Sequence, residues 1–411
     1  MTQPLDLAIV GAGPYGLSIA AHLQERGIAF RIFGNPMHTW RERMPANMLL
    51  KSEGVASNIY NPSGHFTLRS FCEEMHLPYA DIGLPVHIST LISYGLAFQR
   101  RVVPGLEDKT VNELDRSGAA FVIRLADGET VTARRVVLAV GMTHFQYVPP
   151  ALARLPPALL SHSSVHKDGW RFKGEEVTVI GAGASATDVA ALLSDCGAQV
   201  RIVARGHKIH FVSPAQADRP LWQRIRYPFS GIGFGLRSRF YTDAPVLFHH
   251  LPERMRLRIV RTYLGPAGGP HIKDRILGRI PLLLGYQVER ALDCGGRVRL
   301  CLAGRDGSAR ELTTSHVIAA TGYRADIQRL SFLSQRLRSA LRVEGQSPAL
   351  SACFESSVPN LYFVGLASAN NFGPMMRFMF GAGFTARRLS RHLGEVVAPR
   401  AVARLIAQPG Q

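Results

Sequence analysis

Residues 6–33 read DLAIVGAGPYGLSIAAHLQERGIAFRIF, and residues 176–203 read EVTVIGAGASATDVAALLSDCGAQVRIV. The two stretches align without a gap, Gly11 against Gly181. Each is a short β-branched run, a glycine turn, an amphipathic helix, a further glycine and a second β-branched run. A hydrophobic pattern that moves from strand to helix and back marks a βαβ unit. The chain contains that unit twice.

A second repetition follows each unit. Phe121–Leu125, a turn at Asp127–Gly128 and Thr130–Ala133 predict a hairpin that leads into VVLAVG at 136–141. Val298–Leu302, a turn at Asp306–Gly307 and Arg310–Thr313 lead in the same way into VIAATG at 317–322. Asp-Gly between alternating residues favours a tight turn, because glycine accepts the positive φ that such turns need. One plan repeated in one order predicts an α/β protein with two Rossmann-like dinucleotide-binding domains.

In Gly11-Ala12-Gly13-Pro14-Tyr15-Gly16 the first glycine turns the chain out of the strand. The second lets backbone approach a diphosphate, and the third lets helix and strand pack closely. The helix start then offers unpaired N–H groups and a partial positive charge to the phosphates. In Gly181-Ala182-Gly183-Ala184-Ser185-Ala186, alanine takes the third glycine's place, a change that often accompanies NADP. After the second strand an NAD site wants an acid for the ribose hydroxyl, whereas an NADP site wants a cation for the 2′-phosphate. Here Ala204-Arg205-Gly206 follows, so Arg205 is the candidate for the 2′-phosphate, or else a solvated arginine at a strand end. The first unit departs from the rule: Gly34-Asn35 stands where a ribose-binding acid is expected. That contact is left to backbone, to Asn35 or to a group elsewhere.

Composition narrows the classes. A chain of 411 residues, 46% hydrophobic, exceeds one core and suits roughly two to three domains. Its net charge of +18 attracts polyanions, yet the arginines are scattered and no DNA or RNA module accompanies them, so nucleic acid is not an expected partner. Five cysteines contain no C-x-x-C pair and no zinc spacing, which reads as reduced thiols in a cytoplasmic protein without a metal site. No signal peptide is visible, and the apolar runs fall short of the roughly 20 residues of a spanning helix.

At this point the sequence resembles the class B flavin-dependent monooxygenases, a group with flavin-containing, Baeyer–Villiger and N-hydroxylating members. The resemblance runs from Asp6 to about Arg391 and is weaker across 215–290. It implies FAD in a discontinuous first domain and NADPH in a domain inserted within it. Val136–Gly141 and Ala319-Ala320-Thr321-Gly322-Tyr323 are similar to the two linking strands of that group, which makes Gly141, Thr321 and Gly322 candidates. His162-Ser163-Ser164 is similar to the H-S-S segment of N-hydroxylating members, although a His-Ser pair before a strand is also an ordinary turn. In Val364-Gly365-Leu366, leucine replaces the aspartate of disulfide reductases, as in flavin monooxygenases. Phe372-Gly373-Pro374 suits a helix start, and a helix from Met375 would aim its N-terminus at the flavin. Arg377 in that turn is either a flavin or substrate contact or a surface charge. Trp40 is a flavin neighbour or a core residue, and Lys51 a flavin or substrate contact.

The expected division is 1–160 and 315–400 for FAD, 161–314 for NADPH with a substrate-shaping insertion at 215–290, and a tail at 401–411. What the resemblance implies is NADPH- and FAD-dependent oxygenation of a small soft nucleophile by O2 through a C4a-hydroperoxyflavin, N-hydroxylation favoured. Quinone or ferredoxin reduction and Baeyer–Villiger oxygenation stand as alternatives. No side-chain nucleophile or general base is evident. The basic amphipathic stretch from Pro252 to Leu264 either packs on its parent domain or touches a membrane surface.

Overall fold

The computed structural model describes residues 3–406 apart from 217, with side chains to 397. Two parallel five-stranded sheets organise the chain. In the first, Ala8–Val10 lies between Arg31–Phe33 and Val136–Leu138, with Leu106–Glu107 and Leu361–Phe363 outside them. In the second, Glu176–Ile180 lies between Gln199–Ala204 and His316–Ala319, with Leu282–Leu284 and Leu160–His162 outside. The two sheets are built alike, and the first is completed only by a strand from the far end of the chain. The inserted second domain thus interrupts the first.

The central strands are buried on both faces, as helix-flanked parallel strands must be. The helix Pro14–Glu25 opens with proline at its start and buries Leu17, Ile19, Ala20 and Leu23. Each such aliphatic side chain contributes about 1.5–3 kcal/mol when fully buried. Gly27 stops the helix at φ +66°, and Gly197 stops Ala184–Asp195 at +85°. The second sheet has core on both sides. Val189, Ala190 and Leu193 cover one face, and Leu155, Leu300 and Leu302 the other.

Both expected hairpins form, with Phe121 opposite Ala133 and Val298 opposite Thr314. Each gains a third strand that the sequence reading missed, Val111–Ser117 and Tyr286–Asp293. Three points differ from expectation. His316–Ala319 hydrogen-bonds within the second sheet, so the chain returns to the first domain after that strand and not at 315. Leu282–Leu284 also belongs to the second sheet, which shortens the expected insertion. No helix starts at Met375: Pro374–Arg377 is a single 3-10 turn, and the long helix is Gly381–Ile406. That helix takes in the start of the expected tail, and 407–411 lie outside the described residues.

The segment after Pro220 is mostly helical and is fastened by one buried arginine. Arg256, on the helix Glu253–Thr262, pairs with both Glu344 oxygens at 2.7 and 3.0 Å. It also donates to the carbonyls of Asn370 and Leu251, each at 2.9 Å. Val260 packs on the first core, so the basic stretch faces inward through these two residues.

Candidate functional site: two glycine loops and the cleft between them

The three glycines of the first loop separate by what a methyl group on each would meet. At Gly11, with φ +115°, a Cβ would lie 2.2 Å from the Ala139 carbonyl oxygen. At Gly16 it would lie 1.9 Å from the Gly11 oxygen. At Gly13 it would meet nothing within 4 Å. The outer glycines therefore close the strand–helix packing, and the middle one faces open space. The helix start carries no side-chain cap, so its first amides remain to be satisfied by a ligand or water. A diphosphate fits that cradle.

Around this loop the fold collects several expected residues. Asn35 donates to Asp108 at 3.2 Å and accepts from Arg41 at 3.1 Å. Asp108 lies just past the strand Leu106–Glu107, beside the strand that ends at Phe33. An acid does stand near Asn35, at the end of the third strand and 73 positions away, where no local pattern points to it. Gly141 sits at φ +69° near Thr39, and Gly365 at +68° against the Tyr15 ring. The Tyr15 hydroxyl donates to the carbonyls of Met376 and Phe378 at 3.1 and 2.9 Å, bracing the first helix against the turn that precedes the last. Burial pushes its pKa well up. Trp40 and Leu366 are half-buried against the first core.

Phe372 is a correction. It is fully buried between Phe354, at 4.1 Å between ring centroids, and His249, at 5.0 Å, and no face remains for a cofactor. Arg377 is spent as well. It donates to the carbonyls of Val260, Tyr263 and Leu264 at 3.1 to 3.3 Å. It caps the C-terminal end of Glu253–Thr262, where a cation suits the helix dipole.

The second loop repeats the geometry. A Cβ on Gly181 would lie 2.2 Å from the Ala320 oxygen, and Ala186, fully buried, fills the third position. A Cβ on Gly183 would lie 3.5 Å from Pro266. Ser185 lies in the first turn of Ala184–Asp195, and Arg205 is exposed just past Gln199–Ala204. The Gly265–Gly269 run lies against this loop and reaches the first domain, since Lys51 Nζ donates to the Ala267 oxygen at 2.9 Å. This run was missed, although glycines flanking Pro266 signal a close backbone approach.

Asp188 faces the same interdomain cleft, in a small cavity of about 80 Å³ shared with Met48, Leu50 and Ile272. Burial pushes its carboxyl up to about 7, with Lys51 and Arg275 opposing. Burial in turn lowers the Lys51 pKa, with Asp188 raising it and Arg377 lowering it.

His162 and its neighbours fasten the crossings between domains. His162 Nε2 lies 3.1 Å from the Gly322 oxygen, and its Nδ1 2.9 Å from Ser164 Oγ. Tyr147 N donates to the same Gly322 oxygen at 2.9 Å, and Thr321 donates to the Tyr147 carbonyl. Ser163 is buried with no hydrogen-bond partner for its hydroxyl among the described residues.

Two parallel sheets with matched glycine loops at their strand ends define a two-nucleotide oxidoreductase. Residues 5–227 match the family model for pyridine nucleotide-disulphide oxidoreductase, and the chain belongs to that family. It is an FAD-dependent oxidoreductase that uses a pyridine nucleotide. Over 348 residues it is 28% identical to the indole-3-pyruvate monooxygenase YUCCA1 of Oryza sativa subsp. japonica, covering 78% of this chain and 77% of that one. An ornithine N-hydroxylase of Kutzneria sp. 744, solved with reduced FAD, NADP+ and L-ornithine, superposes with a TM-score of 0.73 at 15% identity. That match covers 96% of this chain and 99% of the other. The bacillithiol disulfide reductase Bdr of Bacillus cereus gives 0.64 at 17% identity, again over 96% and 99%. The fold is shared by monooxygenases and disulfide reductases alike. Among the described residues, no helix is long and apolar enough to cross a membrane, and no His, Cys, Asp and Glu cluster suits a metal ion.

Proposed function

We propose that this chain is an NADPH- and FAD-dependent monooxygenase that transfers one oxygen atom of O2 to a soft nucleophile, with an amine nitrogen favoured. NADPH supplies two electrons, and the second oxygen atom leaves as water with two protons. The observation that carries the reading is the placement of the cysteines. Cys72, Cys196, Cys294, Cys301 and Cys353 are all unpaired, and none lies in either glycine loop. Electrons delivered to the flavin therefore have no protein disulfide to reach. Leu366, in place of a flavin-binding aspartate, agrees with that assignment. Nitrogen is favoured because His162-Ser163-Ser164 resembles the H-S-S segment of N-hydroxylating enzymes, whose fold this chain shares.

Flavin supplies the hydride and oxygen chemistry, while the protein binds, orients and excludes water. Gly11, Gly13, Pro14 and Gly16 present backbone to the FAD diphosphate, with Asn35 and Asp108 at the ribose end. Tyr15, Gly141, Gly365 and Leu366 shape the floor beneath the flavin, with Trp40 at its side. Gly181, Gly183, Ser185 and Ala186 hold the NADPH diphosphate, and Arg205 takes the 2′-phosphate. His162, Ser163, Thr321 and Gly322 fix the crossing at which the two nucleotides meet. Asp188 lines the interdomain cavity where a small substrate enters, and Lys51, next in sequence to the lining residue Leu50, interacts with it.

The test is NADPH oxidation under isotopically heavy O2 with a primary amine, a thioether and a ketone. A product that gains one heavy oxygen per NADPH supports the proposal, and the acceptor identifies the chemistry. Rapid NADPH oxidation by a quinone or a low-molecular-weight disulfide, with no oxygenated product, establishes the reductase reading to which the Bdr fold also belongs.

A further inference from the structure

On the surface formed by the far end of the first helix, a second cavity of about 420 Å³ lies against the C-terminal helix. His22, Glu25 and Arg26 enter it from one side, Arg387 and Arg391 from the other, and Asn61 closes a rim. Arg387 and Arg391 are four residues apart on one helix and so share a face, where like charges repel. Across from them, Arg26 donates Nε to Ser390 Oγ at 3.3 Å. Among the described residues, none of these three arginines forms an ion pair. Other arginines of the first domain do reach carboxylates, Arg31 at Glu107 and Glu129 and Arg101 at Glu74.

Three guanidinium groups converge on this cavity against one carboxylate, Glu25. The three side chains are exposed, and an anion on this face offsets their surplus charge. Guanidinium forks match phosphate oxygens in pairs, and such charge-assisted bonds are about twice as strong as neutral ones. A dianion neutralises the surplus where a single carboxylate does not. The volume falls in the range of roughly 300–1,000 Å³ typical of small-molecule sites, which is more room than a bare phosphate requires. The helix Pro14–Glu25 spans about 18 Å at 1.5 Å per residue, so the cavity stands well away from the Gly11 loop.

We propose that this cavity binds the phosphate group of a small phosphorylated ligand, held by Arg26, Arg387 and Arg391 across the seam between the first and last helices. The start of the first helix is braced by Tyr15 against Met376 and Phe378, just before the last helix, and a bound anion clamps the other end of the pair.

The experiment uses protein loaded with FAD and NADP+, so that both glycine loops are filled. Inorganic phosphate is titrated at constant ionic strength, followed by calorimetry and by the thermal midpoint. One saturable site with a raised midpoint is expected in the parent protein. In the double variant Arg387→Gln/Arg391→Gln, affinity should fall at least tenfold, with flavin absorbance and far-ultraviolet dichroism unchanged. Equal binding in the variant, or the same midpoint shift with sodium chloride alone, overturns the proposal. A second arm offers phosphatidic acid vesicles. Sedimentation of the parent but not the variant, competed by phosphate, identifies a lipid headgroup. Phosphate binding without sedimentation identifies a soluble ligand. Failure in both arms overturns the site whichever cofactors the two loops hold.

Discussion

Gly13 and Gly16 lie three positions apart in one motif and do different work. A methyl group on Gly16 drives into the Gly11 carbonyl, whereas one on Gly13 points into the open cradle. Gly16→Ala should therefore lower the stability of the apoprotein by about 1–3 kcal/mol, the usual cost of overpacking, read as a lower unfolding midpoint. Gly13→Ala should leave that midpoint in place and weaken FAD by tenfold or more, read by flavin titration. Arg205 belongs to the same scale. Removal of a charged hydrogen-bond partner costs about 1.5–3 kcal/mol, so Arg205→Ala should raise KM for NADPH roughly 10- to 100-fold and leave NADH almost unchanged. An equal loss with both nucleotides would place Arg205 outside the 2′-phosphate site.

At the scale of elements, the glycine loops and both hairpins were legible because each is coded within a few residues. Val111–Ser117 and Tyr286–Asp293 were not, since their half-exposed faces carry charged side chains that blur the alternation. Phe372 and Arg377 stand in motifs that invite a cofactor, yet the fold uses Phe372 as core and Arg377 as a helix cap. The partners that decide those roles come from distant segments. Arg256 and Glu344 are 88 positions apart, and no periodicity joins them. Loss of one partner leaves the other charge buried, so Arg256→Met should cost about 3–5 kcal/mol and open the segment 236–262 to limited proteolysis. Restoration by Arg256→Met/Glu344→Leu would assign that cost to the stranded carboxylate.

A buried histidine pair gives the second sheet a pH signature. Ser161 Oγ lies 2.7 Å from His166 Nε2 and 2.8 Å from His316 Nε2. Burial lowers His166 to about 3, with Arg171 and the neighbouring histidines contributing, and lowers His316 to about 4. Both rings are neutral in the fold, whereas the unfolded chain takes up their protons below about pH 6.5. Stability should therefore fall as pH drops from about 6.5 toward 4. His316→Gln should remove on the order of 2–3 kcal/mol of that fall, as measured by denaturant melts across the range. A parallel decline in parent and variant would contradict the assignment.

The whole molecule is one plan used twice, with each sheet passing the chain to the other where its crossing strand ends in glycine. That symmetry gives two loops of matched shape, and the proposed reading adds Asn35 and Asp108 to the first and Arg205 to the second. The relation was readable from 6–33 and 176–203 because it rests on backbone approach, which only glycine and alanine permit there. Substrate choice was not readable, since the cavity by Asp188 is assembled from three segments of both domains. The central claim is that electrons pass from a nicotinamide in the second loop to a flavin in the first. Anaerobic addition of NADPH to the FAD-loaded protein, followed by visible absorbance, tests it most directly. Bleaching of the flavin band is expected, faster with NADPH than with NADH. A protein that takes up no flavin, or whose flavin stays oxidised under excess NADPH, would contradict it.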